Sequence, residues 1–225
     1  MILTESHLHT SLSSYCGMVD PYEIPLLYKN AGYEAIIVTD HYFAFGSNVY
    51  GFDEWLEGYK IVHEEGKAIG LKVFLGMELT LNDVYADFLV YGFDVAFLRK
   101  NRKINELTLN EVYELLDSYG FIIYQAHPFR TGMTVCDAKS VHGLEVHNGN
   151  PRHESNNKKA LNYAQKHSLL KISGSDFHRY EDLGRGGIYI DSGIETEKEL
   201  AQFLRSRNVN EEGFLYRGSK HTGKS

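Results

Sequence analysis

Five short stretches of this sequence hold residues able to bind a transition metal: His7-Leu8-His9, Asp40-His41, Glu78, His127-Pro128-Phe129-Arg130 and Asp176-Phe177-His178. Neutral imidazole nitrogens suit Zn, Mn or Fe, and carboxylates supply charge that offsets a dication. His7 and His9 stand two apart, as do Asp176 and His178. In an extended strand each pair therefore projects from one face. A single His-x-His reads equally as two polar residues at a strand exit, so the case rests on recurrence. Mixed His and carboxylate donors point to catalytic Zn, Mn or Fe and not to a closed structural zinc site.

The elements that must position these residues are legible in outline. Seven strand candidates cover residues 1–10, 34–41, 72–80, 87–93, 121–126, 141–146 and 169–173. Asp20 reads as the N-cap of a first helix, with Pro21 at its first position and Gly32 as its stop. Asp53 reads as the cap of a second helix running to Gly70. The Thr108-x-x-Glu111 and Thr196-x-x-Glu199 boxes open two more, and a further helix is expected over 153–167. A short apolar run at 188–190 follows a Gly-rich loop, Gly184-Arg185-Gly186-Gly187.

Strands separated by helices favour a mainly parallel α/β barrel or sheet. Ligands in such folds bind at the C-terminal ends of the strands. His7 and His9 end the first strand, His41 the second, Glu78 the third, His127 the fifth, and Asp176 with His178 the seventh. In a closed barrel these seven donors meet at one rim. Asp87 opens the fourth strand, which sets it apart on a parallel reading.

The chain has 225 residues and a formal net charge of -7, enough length for one domain with a sizeable core. We expect that domain over 1–216, with 217–225 as a frayed polar tail. The acidic balance argues against a nucleic-acid grip built on a broad basic surface. Two cysteines make no disulfide framework and fit a reducing cytoplasm. Nothing resembles a signal peptide or a membrane span, and the oligomeric state is open.

Together, His7-x-His9, Thr39-Asp40-His41, Gly76-Met77-Glu78, Ala126-His127-Pro128-Phe129-Arg130 and Gly174-Ser175-Asp176-Phe177-His178 resemble, in order, the motifs of the PHP (polymerase and histidinol phosphatase) family of metal-dependent phosphoesterases. The resemblance covers roughly residues 1–190. It implies a distorted seven-stranded (β/α)7 barrel holding two or three divalent metal ions. By resemblance, His7, His9, Glu78 and Asp176 would hold one metal, and Glu78 would bridge to a second shared with His127. Asp87 is the candidate for the remaining ligand of that second metal, where the family usually has a His. His41 and His178 would hold a third. The family's additional ligand from the loop after His-x-His is missing, and Ser14, Tyr15 and Cys16 stand there.

The implied reaction is phosphoester hydrolysis in a small phosphorylated metabolite or nucleotide. Arg130 and Arg185 are candidate phosphate clamps, against a structural salt bridge for either. His178 could instead protonate the leaving group. Asp40 either orients a ligand or caps a turn, and His147 and Asn148 read as surface residues. His63, His142, His153, His167 and His221 lie off the pattern and read as solvated. Cys16 reads as an inert thiol, and the aromatic stretch 42–59 as core and rim packing. Competing readings are a phosphoprotein phosphatase, an exonuclease-like phosphodiesterase, and a metal-binding module without catalysis.

Overall fold

The computed structural model describes residues 1–42 and 51–218. Phe43, Phe45, Tyr50, His221 and most of the expected tail lie outside the described residues. Among the described residues no helix is long and apolar enough to cross a membrane.

Both faces of the sheet are covered, and the sequence shows why. The strands are nearly continuous apolar runs, so successive side chains enter two different cores. Among the described residues ten strands form: β1 (Ile2–Glu5), β2 (Ala35–Val38), β3 (His41–Tyr42), β4 (Lys72–Thr80), β5 (Asp87–Tyr91), β6 (Ile122–Gln125), β7 (Gly143–Asn148), β8 (Leu170–Gly174), β9 (Gly187–Ile190) and β10 (Leu215–Tyr216). Their order is β10-β9-β1-β2-β4-β5-β6-β7-β8, with β3 also on β4. The expected count of seven is thus too low. The seven anticipated segments are β1, β2, β4, β5, β6, β7 and β8. The additions are two-residue β3 and β10, too short for a periodic signal, and β9, whose 188–190 core the sequence marks only as a short apolar run.

The sheet curls until its ends almost meet, giving a nearly closed barrel. Past β1 and β8 the chain makes one parallel bridge, Leu8 to Phe177. The His9 amide donates to the Phe177 carbonyl at 2.9 Å, and the Phe177 amide to the His7 carbonyl at 3.1 Å. The two chain segments that carry His-x-His and Asp-x-His are therefore the pair that closes the ring.

On the inner face, Ala35, Ile37, Phe74, Leu89, Tyr91, Ile122 and Tyr124 form one apolar cluster with Leu200, Ala201 and Leu204 of helix α6 (Glu197–Arg205). The opposite strand faces pack under α1 (Ile24–Asn30), α2 (Phe52–Ala68), α4 (Leu109–Ser118) and α5 (Asn157–Lys166). Between β5 and α4 lies a short helix, α3 (Val95–Lys100). Strand periodicity carries the inner face from apolar to polar: Phe74, Gly76 and Glu78 share a side of β4, as Tyr91, Leu89 and Asp87 share a side of β5. A one-residue register slip would turn Glu78 out of the barrel.

β5 pairs antiparallel with both β4 and β6. Its first residue, Asp87, stands opposite Thr80 at the end of β4. Asp87 consequently reaches the same rim as the other candidates, which corrects its expected isolation.

The capping boxes at Thr108 and Thr196 form as the sequence predicts. α1 begins later than expected, at Ile24 with Pro25 in its first turn, while Asp20 instead accepts the Tyr22 amide in a turn at 3.0 Å. α2 is capped not by Asp53 but at Gly51, whose amide donates to Glu54. Asp53 pairs with Arg99 at 2.6 Å. α5 begins at Asn157 and not 153.

Gly186 packs against the backbone of Gly174 and Ser175 so closely that an added Cβ would overlap carbonyl atoms of Gly174. Gly186→Ala should lower stability by about 1–3 kcal/mol, seen as an earlier urea midpoint at unchanged m-value. An unmoved midpoint would show that the 184–187 loop adjusts freely.

Candidate metal centre

Four donor atoms converge where the barrel closes. His7 Nε2 lies 3.1 Å from His9 Nε2, 3.4 Å from Glu78 Oε2 and 3.4 Å from Asp176 Oδ1. His9 Nε2 is 3.2 Å from Glu78 Oε2 and 3.7 Å from Asp176 Oδ1. Metal–ligand bonds of about 2.0–2.2 Å in a tetrahedron put ligand atoms about 3.3–3.6 Å apart. All four side chains are buried.

Their surroundings fix where the protons sit. Glu145, buried and acceptor-only, takes the His7 Nδ1–H at 2.9 Å. Ser14 Oγ–H donates to Asp40 at 2.7 Å, which leaves that oxygen to accept His9 Nδ1–H at 3.1 Å. In its neutral form each ring thus carries its proton on the outer nitrogen and turns an Nε2 lone pair inward. Two lone pairs and two carboxylate oxygens facing one another repel unless a cation lies between them, so the donor set fits a divalent ion.

The charge balance without such an ion says the same. Burial opposes a charged His7, but Glu145, Glu78 and Asp176 overturn it and raise its pKa well above the ordinary value. Burial and the neighbouring His178 push His9 well below its own. Glu78 and Asp176 stay ionised against burial because His7 leads the positive groups around them. At neutral pH a proton on His7 supplies the positive charge that a metal ion would supply in its place.

Glu78 divides its oxygens. Oε2 faces His7, His9 and, at 3.2 Å, His41 Nδ1, whereas Oε1 lies 2.9 Å from His127 Nε2. Donor atoms of Glu78, Asp87 and His127 lie within 4.8 Å of one another. His127 Nδ1 is buried without a hydrogen-bond partner. Asp87 accepts from Thr80 at 2.6 Å, and burial followed by Glu78 raises its pKa. A third set, His9, Cys16, His41 and His178, also has donor atoms within 4.8 Å of one another.

Two of the converging residues hold left-handed backbone, His127 at φ 29° and Asp176 at φ 54°. Neither is glycine, so each conformation is maintained against its own preference by what surrounds it. The His127 amide donates to Glu145 at 2.9 Å, and the Asp176 carbonyl accepts from Asn150 at 3.1 Å and from His178 Nδ1 at 2.9 Å.

Asp40 emerges as an orienting group. It is buried, accepts the Thr10 amide at 2.7 Å and the Ser14 hydroxyl, and has its pKa raised by burial to about 6. Glu5, pushed up by burial to about 7, accepts the amides of Ser6, His7 and Ser175 at 2.9–3.0 Å and so ties the two closing segments together.

The cleft over these groups, about 290 Å³, is lined in part by Arg130, Arg152, His153 and Arg179. Arg130 donates to Asp176 at 2.5 Å and to Asn148 at 3.2 Å. Arg152 makes a two-pronged contact with buried Asp182. Arg185 does not reach the cleft: its Nε donates to the Glu181 carbonyl at 2.6 Å. The Gly-rich loop turns it outward, and Arg152 and Arg179, which sequence reading missed, line the cleft instead. Asn148, expected at the surface, is buried and donates to Glu145, and His147 is half-buried against the Arg185 carbonyl. His142 is not solvated either, since its ring lies between Asp117 and Arg205. His153 stands at the cleft rim. Trp55 and Tyr42 pack in the core, as expected of that aromatic stretch.

Among curated proteins no sequence matches this chain. The sequence model of the PHP-associated family matches residues 154–209. Among solved structures, the chain is similar to a two-domain protein from Bacteroides vulgatus that contains a predicted PHP-like metal-dependent phosphoesterase. The TM-score is 0.67 at 17% identity, over 91% of this chain, which spans 63% of that protein's length. It is similar to PsfC from Pseudomonas syringae, with TM-score 0.64 and 20% identity over 92% of this chain and 89% of that one. It is also similar to an amidohydrolase from Chromobacterium violaceum solved with bound sulfate and no metal, with TM-score 0.60 and 15% identity over 96% and 98%. These likenesses show the fold. The match at 154–209 shows likeness to the PHP-associated family over that stretch.

Proposed function

We propose that this protein is a metal-dependent hydrolase acting on a phosphoester in a small phosphorylated molecule. The observation that carries the proposal is the inward-facing set His7, His9 and Glu78, with Asp176 at 3.4 and 3.7 Å from the two imidazoles, beneath an arginine-lined cleft. In this reading those four hold one ion. Glu78, Asp87 and His127 would hold another. Zn, Mn or Fe suits such donors. Divalent ions there would lower the pKa of water and neutralise phosphoryl oxygens.

The chain's own groups then do three things. Glu145, Ser14 and Asp40 hold the imidazole tautomers that leave the lone pairs inward. Arg130, already at the cleft edge on Asp176, offers its remaining donors to phosphate oxygens, and half-exposed Arg179 adds a second positive group. A cavity of about 580 Å³ adjoins the cleft through Tyr15, His41, Asp87 and Met133, and would take the rest of the substrate. Among the described residues that line it there is no Lys or Arg, so the phosphate would stay on the arginine side.

A net charge of -7 favours a small substrate over nucleic acid, with a nucleotide still small enough. The two free cysteines suit the cytoplasm. The similarity to an amidohydrolase makes amide hydrolysis the second reading. Phosphate release from a panel of phosphate mono- and diesters, by protein loaded in turn with Zn, Mn and Fe, tests the first. Cleavage of cyclic amides with no phosphate release under any metal would favour the second.

Arg130→Ala should slow phosphoester turnover by about tenfold or more, the scale of a charge-assisted contact of ~1.5–3 kcal/mol. Metal content should stay the same. Loss of metal on this substitution would instead show that Arg130 serves to hold Asp176 in place.

A further inference from the structure

We infer that Cys16 is a metal ligand, and that with His41 and His178 it forms a thiophilic site selective for Zn or Co over Mn. Cys16 occupies the loop position where the resemblance offers no recognised ligand. Three observations carry the inference. Cys16 Sγ lies 3.1 Å from His178 Nε2. His178 Nδ1–H donates to the Asp176 carbonyl at 2.9 Å, so its Nε2 lone pair faces the sulfur. One donor atom each from His9, Cys16, His41 and His178 fits within 4.8 Å.

Tyr15, the other candidate in that loop, is excluded by placement. It is 71% exposed, and its ring stacks on His41 with centroids 5.9 Å apart. His9 Nε2 already belongs to the four-donor set, which leaves Cys16 to join His41 and His178 at the third position. Three protein ligands leave a coordination position open, as in catalytic zinc sites.

The charge argument is independent of the distances. His41 and His178 bring no charge of their own when neutral, so a dication on them alone is unbalanced. A thiolate supplies one negative charge and a soft donor, which Zn and Co accept readily and Mn does not. Binding displaces the thiol proton: the S–H bond breaks, the proton leaves to solvent, and the sulfur lone pair forms the bond to the ion. Neither oxidant nor reductant is needed.

This inference rests on the metal-binding reading of the neighbouring His and carboxylate set, but not on the reaction catalysed there. Its test is therefore spectroscopic. Metal-free protein is titrated with Co(II) and watched for the near-ultraviolet thiolate-to-cobalt charge-transfer band, with bound metal counted in parallel. The wild type should show the band. Cys16→Ser should lose it and bind one fewer equivalent of Co or Zn, with Mn stoichiometry unchanged. His178→Ala should also lose the band while keeping the thiol. Cys136, buried in an apolar cluster and outside the group of His9, Cys16, His41 and His178, serves as control, since Cys136→Ser should keep the band. In the wild type, Zn should protect Cys16 from alkylation.

Cobalt bound at full stoichiometry without a thiolate band would overturn the assignment of Cys16 and leave the four-donor reading intact. Protein that binds no divalent ion at all would overturn both. A band that survives Cys16→Ser would place the sulfur ligand elsewhere and refute the proposal.

Discussion

Glu78→Gln should reduce hydrolysis by at least about a thousandfold, roughly 4 kcal/mol in the barrier, and strip metal from the protein while the fold persists. Glu78 is the one carboxylate facing both halves of the centre, Oε2 towards His7, His9 and His41 and Oε1 towards His127. An amide is nearly the same size and can still accept a hydrogen bond, so the barrel has no reason to open. It lacks the charge that offsets two dications, and its NH2 turns donor protons towards at least one set of imidazoles. Metal analysis, circular dichroism and turnover on the same preparation check this. Wild-type metal content in the folded variant would remove Glu78 from the centre.

The second large effect should come from a residue that touches no proposed ion. Glu145 accepts the His7 Nδ1–H through Oε1, and the His127 amide and Asn148 Nδ2 through Oε2, each at 2.9 Å. In Glu145→Gln the amide nitrogen must replace one oxygen. If it faces the His127 amide and Asn148, donors meet donors. If it faces His7, it demands the other tautomer, which moves the ring proton onto Nε2 and cancels the inward lone pair. Either arrangement should weaken metal affinity by about 10–100-fold, the scale for groups that orient a ligand. A chelator competition reads it directly, and unchanged affinity would mean that the His7 tautomer is set by the ion alone.

The pH dependence follows from the same balance and has a definite sign. His7 in the metal-free protein is raised well above its ordinary value, so a proton must leave as an ion enters. Metal affinity should fall as pH falls, because protonated imidazole is no ligand. Calorimetry in buffers of different ionisation enthalpy counts the released protons. Binding without proton release at neutral pH would contradict the charge assignment of His7.

What the sequence by itself determined here is the set of chemically capable residues, their places at strand ends and the α/β class. Those depend on local rules: two-residue periodicity makes His7 and His9, or Asp176 and His178, point together, and apolar runs of strand length mark buried strands. The Thr108 and Thr196 caps are equally local and form as read. Tertiary structure alone decided the rest. Asp87 joined the rim because β5 runs antiparallel, and strand direction is set by pairing partners that a single run of residues does not name. The ring closed through Leu8 and Phe177 and through Glu5, which accepts the Ser175 amide, contacts between segments far apart in sequence that bring His9 to Asp176. Glu145 and Ser14 reveal their orienting roles through one hydrogen bond each, and the path of a loop holds Arg185 outside the cleft that Arg152 and Arg179 line. Such outcomes turn on ångström-scale backbone geometry, which depends on the packing of the whole chain and leaves no periodic trace in the sequence.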